Sequence, residues 1–307
     1  MNYLNLAELG KNHWWRYVLA ILLMLGMWQL IGGIPVGILA VSLIDDGDPA
    51  TMFDSESMRF IGVDPLVSYL AISFTFITLF AGIWLAVRYL HQRAFLSLIT
   101  PLQRMSWRRF FTGFFVYLGL IMLFALVGIL LGMDEVSFNF DAKKFFIFLP
   151  FALLLTPLQA CAEELLFRGY VMQGLGRLTS NKITVVVASA ILFMLPHLAN
   201  PEVAIDPVIL PLTYFALGAF LAIITLRDNR LELAMGVHSA NNLFAFVFMN
   251  YEGSALESPS VLTAAQPEPI SSLIVMLLIA ALFYIIIFRW LGRGAPGAGE
   301  DQGGQEF

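Results

Sequence analysis

Long apolar runs separated by short polar breaks fill most of the chain, and their lengths suit helices that cross a bilayer. An apolar run of roughly 18 residues or more spans a hydrocarbon core of about 30 Å as a helix, whereas barrel strands would alternate in character over about ten residues. The runs predict eight spans, at 17–43, 66–90, 110–132, 145–173, 183–199, 208–226, 232–250 and 270–290. The expected fold class is all-α, a polytopic membrane protein with about eight transmembrane helices. The first run follows a polar stretch of 16 residues and is too long for the apolar part of a signal peptide, so it reads as a retained span. Four regions follow: N-terminal helices over 1–144, a core over 145–250 that holds the intramembrane polar residues, a last connection and helix over 251–290, and a tail over 291–307. The tail, GRGAPGAGEDQGGQEF, has the Gly-rich, charged composition of a disordered segment.

Composition agrees. The 307 residues are 59% hydrophobic and 13% charged, against about 25% charged in a soluble domain. The net charge of -5 arises from acidic residues outside the spans, and no basic or aromatic stripe offers a nucleic-acid surface. Cys161 is the single cysteine, so an internal disulfide and a cysteine metal cluster are both excluded; a small core residue is its simplest reading. Lys and Arg gather on the cytoplasmic side of membrane proteins. Assigning the connections alternately to two sides puts thirteen basic residues on the N-terminal side and three on the other, which places both termini in the cytoplasm. Within the first set, HQRAFLSLITPLQRMSWRRF carries its arginines among apolar residues, the pattern of an interfacial helix at anionic headgroups or of a solvated linker.

Ionisable groups inside a span cost about 2.5 to 3.5 kcal/mol each at the helix centre on insertion scales, so each calls for a partner or a function. Those well inside the predicted spans are Glu163, Glu164, Arg168, His197 and His238. Glu164 and Arg168 stand at i and i+4 with the acid first, the better orientation for an ion pair. Glu163, about 100° around the helix, presents a separate carboxylate. A desolvated glutamate near a cationic group can serve as a general base near neutral pH. His197, with Phe193 one turn before it to pack on the imidazole, is the candidate partner for that base. His238 and Asn242, again i and i+4, offer an imidazole N–H and an amide N–H to one point, as an oxyanion requires. Structural readings exist for each alone: a histidine satisfied by a neighbouring helix, a scaffold ion pair, an asparagine joining helices. Measured from the cytoplasmic helix ends at about 1.5 Å per residue, His238 is expected shallow, Glu163 intermediate and His197 deepest.

Three motifs carry a resemblance: E-E-x-x-x-R at Glu163, Glu164 and Arg168, F-x-x-x-H at Phe193 and His197, and H-x-x-x-N at His238 and Asn242, in order on successive apolar segments. Together they resemble the signature of the CPBP family, the CAAX proteases and bacteriocin-processing enzymes also called Abi. The resemblance implies an eight-helix intramembrane endopeptidase enclosing an active-site cavity, acting on a membrane-associated or lipidated polypeptide. By motif position it implies Glu163 as general base with His197, His238 and Asn242 as oxyanion hole, and Glu164 and Arg168 as supporting residues. No cofactor is favoured; Zn²⁺ is the alternative, with Glu163, His197 and His238 as its ligands, although H-E-x-x-H is absent and Asn is a poor zinc ligand. An ion-coupled carrier using Glu163 and the histidines as a relay, and a non-catalytic immunity protein that binds through the same site, are the other function classes.

The charge asymmetry yields a direct test of orientation. On a Cys161→Ala background, a cysteine introduced in the 255–260 connection is expected to react with a membrane-impermeant maleimide on intact cells. One in the 104–109 connection should react only after permeabilisation; the reverse pattern would overturn the assignment.

Overall fold

The computed structural model describes residues 1–45, 47–48, 50–55, 59–132, 135–266 and 268–291; the tail expected to be disordered lies outside the described residues apart from Leu291. The described chain is almost entirely helical. Six helices are long and apolar enough to cross a membrane: α1 (Trp14–Asp45), α2 (Pro65–Leu90), α3 (Trp107–Leu130), α4 (Ala142–Leu175), α6 (Ile209–Asp228) and α8 (Pro269–Trp290). The remaining two predicted spans fall on shorter helices, α5 (Lys182–His197) and α7 (Glu232–Leu243), the latter running on as a wider π-type turn over Phe244–Phe248. Large apolar side chains such as Leu22, Leu30, Phe115 and Leu130 face outward, a surface too greasy for water and suited to lipid. The protein is an integral, multi-pass membrane protein.

Local chemistry sets several helix starts. Asp64 and Glu268 each precede a proline and accept from a backbone N–H of the first turn, Leu66 at 2.8 Å and Ser271 at 2.7 Å. Asp141 and Asn181 cap α4 and α5 in the same way, satisfying donors that the first helical turn leaves free. Proline at the first helical position suits its fixed φ and missing N–H.

Helix α4 departs from regularity where it matters. It contains Pro150 and Pro157, stays α-helical to Glu164, and widens into a π-type turn over Leu165–Val171. Such turns are rare and concentrate at functional sites. The E-E-x-x-x-R motif therefore straddles a change of helical geometry.

Helix α7 packs against both α3 and α4. It can do so because glycine faces backbone: a Cβ at Gly236 would overlap the Phe110 carbonyl oxygen, and one at Gly113 would come within 2.5 Å of the Leu233 carbonyl oxygen. Small residues at a helix seam let backbones approach closely.

The expectation of an interfacial helix over residues 91–109 needs correction. Most of this connection is irregular, with a single 3-10 turn at Phe95–Leu98, and helix resumes only at Trp107. Arg93 is buried and donates to the Leu6 carbonyl at 3.0 Å and to Gln173 Oε1 at 2.7 Å; Arg109 is buried and pairs with Asp228. These two arginines bind protein rather than headgroups. The N-terminal residues fold back as a 3-10 turn, Tyr3–Leu9, whose Tyr3 hydroxyl donates to the carbonyls of Leu98 at 2.6 Å and Arg168 at 3.2 Å. Burial first, then the Glu232 carboxylate, pushes that phenol well above its ordinary value.

This packing also removes the expected depth mismatch. The first residues of α7 are buried on the 91–106 connection, with Leu231 N–H donating to the Ile99 carbonyl at 2.8 Å and Ser106 N–H to Glu232 Oε1 at 3.1 Å. Helix α7 thus starts on other protein, and His238 meets Glu163 and Phe193 whatever the count from the helix ends. At the opposite end the connections form short strands that the apolar pattern did not announce. β1 (Met52–Asp54) pairs antiparallel with β2 (Arg59–Ile61). β5 (Leu262–Ala264) lies between β3 (Val136–Ser137), antiparallel to it, and β4 (Met249–Tyr251), parallel to it.

The glycine seam gives a paired test in detergent. Gly236→Ala is expected to lower the unfolding temperature, since overpacking a tight contact costs about 1–3 kcal/mol. Gly119→Ala, where an added Cβ meets nothing within 4 Å, should be neutral or slightly stabilising. Equal effects at the two positions would show that α3 and α7 do not approach closely.

Candidate active site

Four helices bring the three motifs to one place. Glu163 and Glu164 end the regular part of α4 and Arg168 lies in its π-type turn; Phe193 and His197 sit in the last turns of α5 and His238 and Asn242 lie on α7. Helix α6 contributes backbone. Glu164, Arg168 and His238 are almost completely enclosed, at 0%, 0% and 2% exposure, and Glu163 is 5% exposed.

The two adjacent glutamates have different partners. Arg168 Nη1 donates to Glu164 Oε1 at 2.6 Å, and Arg168 Nη2 donates to the Gly218 carbonyl of α6 at 3.1 Å. The same Glu164 oxygen lies 2.8 Å from His238 Nδ1. An ionised carboxylate only accepts hydrogen bonds, so His238 carries a proton on Nδ1 and turns Nε2 toward the site. Glu163 is held more loosely: Gln159 Nε2 is 3.4 Å from its Oε1, and its Oε2 is 3.9 Å from His238 Nε2.

Phe193 is the hub between the clusters. The Arg168 guanidinium carbon lies 4.2 Å from the centre of its ring, within cation–π range. The imidazole of His197 lies 4.7 Å from the same centre and that of His238 5.7 Å. His197 Nδ1 is 2.8 Å from the Phe193 carbonyl; a carbonyl only accepts, so Nδ1 bears the proton and, in the neutral ring, Nε2 is the acceptor. His197 also lies within electrostatic reach of Glu163 and His238.

Asn242 Nδ2 is 3.3 Å from His238 Nε2. Its orientation is set from outside the motifs: the Tyr117 hydroxyl of α3 donates to Asn241 Oδ1 at 3.2 Å, and Asn241 Nδ2 donates to Asn242 Oδ1 at 3.1 Å. With its oxygen occupied, Asn242 presents its N–H groups to the site. Tyr117, Asn241 and Gln159 were not singled out from the sequence. Gln159 stands one turn before Glu163 and was legible by spacing; Tyr117 lies on a distant segment with no local signal.

The side chains do not fit a zinc site as they stand. Among the described residues no group of three or more His, Cys, Asp or Glu side chains converges on a metal position, and zinc requires ligand atoms at about 2.0–2.3 Å. Both imidazoles have Nδ1 taken, by Glu164 and by the Phe193 carbonyl, so Nε2 is the ring atom each has free, and the amide nitrogen of Asn242, which is not a zinc ligand, stands 3.3 Å from Nε2 of His238.

Residues 144–244 match the family described as type II CAAX prenyl endopeptidase Rce1-like. YyaK, an uncharacterized protein of Bacillus subtilis (strain 168), is 34% identical over 262 residues, covering 85% of this chain and 86% of its own. No solved structure matches the chain significantly.

The unequal partners of the two glutamates predict unequal costs. Arg168→Ala strands the Glu164 carboxylate in the bundle and is expected to destabilise by about 3–5 kcal/mol, the usual penalty for breaking a buried pair. Glu163→Gln, isosteric and loosely held, should change stability by less than about 0.5 kcal/mol. Thermal unfolding in detergent checks both; comparable losses would show that Glu163 belongs to the scaffold.

Proposed function

The chain belongs to the CPBP family of CAAX-type membrane proteases, and from that premise we propose that it hydrolyses a peptide bond with water activated by Glu163 and His197, the tetrahedral oxygen being held by His238 and Asn242. The observation that carries this reading is the separation of two neighbouring carboxylates: Glu164 is committed to Arg168 and His238, while Glu163 has contacts of only 3.4 and 3.9 Å. A base must be free to take a proton.

The steps follow from the donors and acceptors. Water attacks the scissile carbonyl carbon as Glu163 takes its proton, with the lone pair of His197 Nε2 orienting the second hydrogen. Negative charge then develops on the carbonyl oxygen. Asn242 Nδ2–H donates to it, and so does His238 through Nε2 once that nitrogen also carries a proton, Nδ1 remaining on Glu164. Collapse breaks the C–N bond, and the proton on Glu163 passes to the departing amine. Donors aimed where charge develops in a water-poor site are worth several kcal/mol each. The family description and the apolar surroundings support a substrate anchored at the membrane, with a short C-terminal or leader segment as the piece removed.

The test uses purified protein in detergent and quenched-fluorescence peptides, one set ending in a prenylated CAAX sequence and one set of unprenylated leaders. Glu163→Gln is expected to lower kcat by about 10²–10⁴-fold, the contribution typical of a general base. A chelator should leave wild-type cleavage unchanged. Loss on chelation with recovery on Zn²⁺ would instead make Glu163, His197 and His238 metal ligands.

A further inference from the structure

A polar cluster outside the three motifs lies against His197. The connection after α5 folds into a 3-10 turn, Pro201–Ala204, and buries Glu202 to 7% exposure. Glu202 Oε1 accepts from Asn200 Nδ2 at 3.1 Å and from the Tyr214 hydroxyl, and Asn200 Nδ2 also donates to the Tyr214 oxygen at 3.0 Å. Tyr214 comes from α6, and its ring lies 4.5 Å from the imidazole of His197 at 33°. Carboxylate, amide, phenol and imidazole form one connected set.

Burying a carboxylate costs several kcal/mol unless it is well compensated. Glu202 accepts from neutral groups, Asn200 and Tyr214, and so holds the Tyr214 hydroxyl in place. An ionised carboxylate only accepts, so the phenol proton points at Glu202 and the ring plane is set from its far end. Tyr251 of β4 feels the same carboxylate: burial first, then the Glu202 charge, raises its phenol above the ordinary value.

His197 needs that support. Its own hydrogen bond runs to the carbonyl of Phe193, one turn back on the same helix, whose ring packs 4.7 Å from the imidazole. The ring lies between the turn that holds it and the tyrosine packed on it. Misplacing a reacting group by about 1 Å can cost about 10²-fold in rate.

We propose that Glu202 and Asn200, acting through Tyr214, are positioning residues that set the imidazole plane of His197, so that its Nε2 faces the water held by Glu163. This rests on the assignment of His197 to water activation.

The test measures kcat, KM and unfolding temperature for Glu202→Ala, Glu202→Gln and Tyr214→Phe on the peptides above, beside Glu163→Gln. It also records ¹⁵N spectra of histidine-labelled protein, with the His197 signals identified by their loss in His197→Gln. Glu202→Ala and Tyr214→Phe are each expected to lower kcat about tenfold, part of the loss that misplacement can cause, with KM unchanged within about twofold. The double variant should fall no further than either single one, because both act through one hydroxyl. Glu202→Gln, which keeps a carbonyl acceptor for Tyr214 and Asn200, should recover most of the rate lost in Glu202→Ala. In the spectra, wild-type His197 should show a single tautomer with Nδ1 protonated, shifted or broadened in Glu202→Ala and restored in Glu202→Gln. An unchanged kcat in Glu202→Ala, a loss confined to KM, or a His197 spectrum indifferent to all three variants would overturn the proposal. Continued cleavage by Glu163→Gln would remove the assignment of the base instead, while the spectra would still decide whether Glu202 governs His197. If Glu202→Ala fails to fold, the isosteric Glu202→Gln and Tyr214→Phe carry the same comparison.

Discussion

The Glu164–Arg168–His238 chain is the constraint on which the rest of the bundle depends. Its groups are enclosed in an apolar helical bundle, where each uncompensated charge would cost several kcal/mol. The compensating contacts come from four helices held in register. Helix α4 supplies the carboxylate and guanidinium, α6 the Gly218 carbonyl, α7 the imidazole, and α5 the Phe193 ring over the guanidinium. Buried pairs of this kind contribute little net stability compared with well-packed apolar residues. Their value here is geometric: they fix where Glu163, His197, His238 and Asn242 stand relative to one another.

That register is reached by close backbone approach and by filling the end of the bundle with polar protein. Gly113 and Gly236 let α7 sink against α3. The 91–106 connection and the N-terminal turn then occupy the space beneath α7, with Tyr3, Arg93 and Gln173 satisfying carbonyls that the bilayer could not. A backbone group left without a partner in hydrocarbon costs several kcal/mol, so irregular chain survives at this depth only when enclosed by protein. Similarity to YyaK covers 85% of the chain, well beyond the 144–244 match to the prenyl endopeptidase family. The helices that flank the motif-bearing core are thus part of what the relatives share.

Two glutamates adjacent in sequence acquire separate roles because a helix turns about 100° per residue. One faces the arginine and becomes scaffold. The other lies 3.4 Å from Gln159 and 3.9 Å from His238. The Asn242 amide is held from behind by Asn241 and Tyr117, so a donor reaches the site pre-oriented, as stabilisation of developing charge requires.

Much of this was legible in the sequence because it is local. Span-length apolar runs, the i, i+4 relation of Glu164 to Arg168 and of His238 to Asn242, and the position of Phe193 one turn before His197 follow from helical periodicity alone. The motif resemblance added the family, since the order of three such pairs on successive segments is preserved by the chain itself. What helical periodicity does not carry is the relative height of helices. Counting from the helix ends set His238 and His197 at different heights, yet both pack on the Phe193 ring. Arg93 and Arg109, charged residues in a basic connection, turn inward to partners far away in the chain. Glu202, an acidic residue of a connection, is buried against a tyrosine twelve positions on. The sequence by itself determined that the chain is a helical membrane protein and which side chains share a helical face, since both depend on neighbours within two turns. Only the tertiary structure decided which charges are enclosed, at what depth the motifs meet and which outside residues hold them, because each of these depends on contacts between segments that no local pattern records.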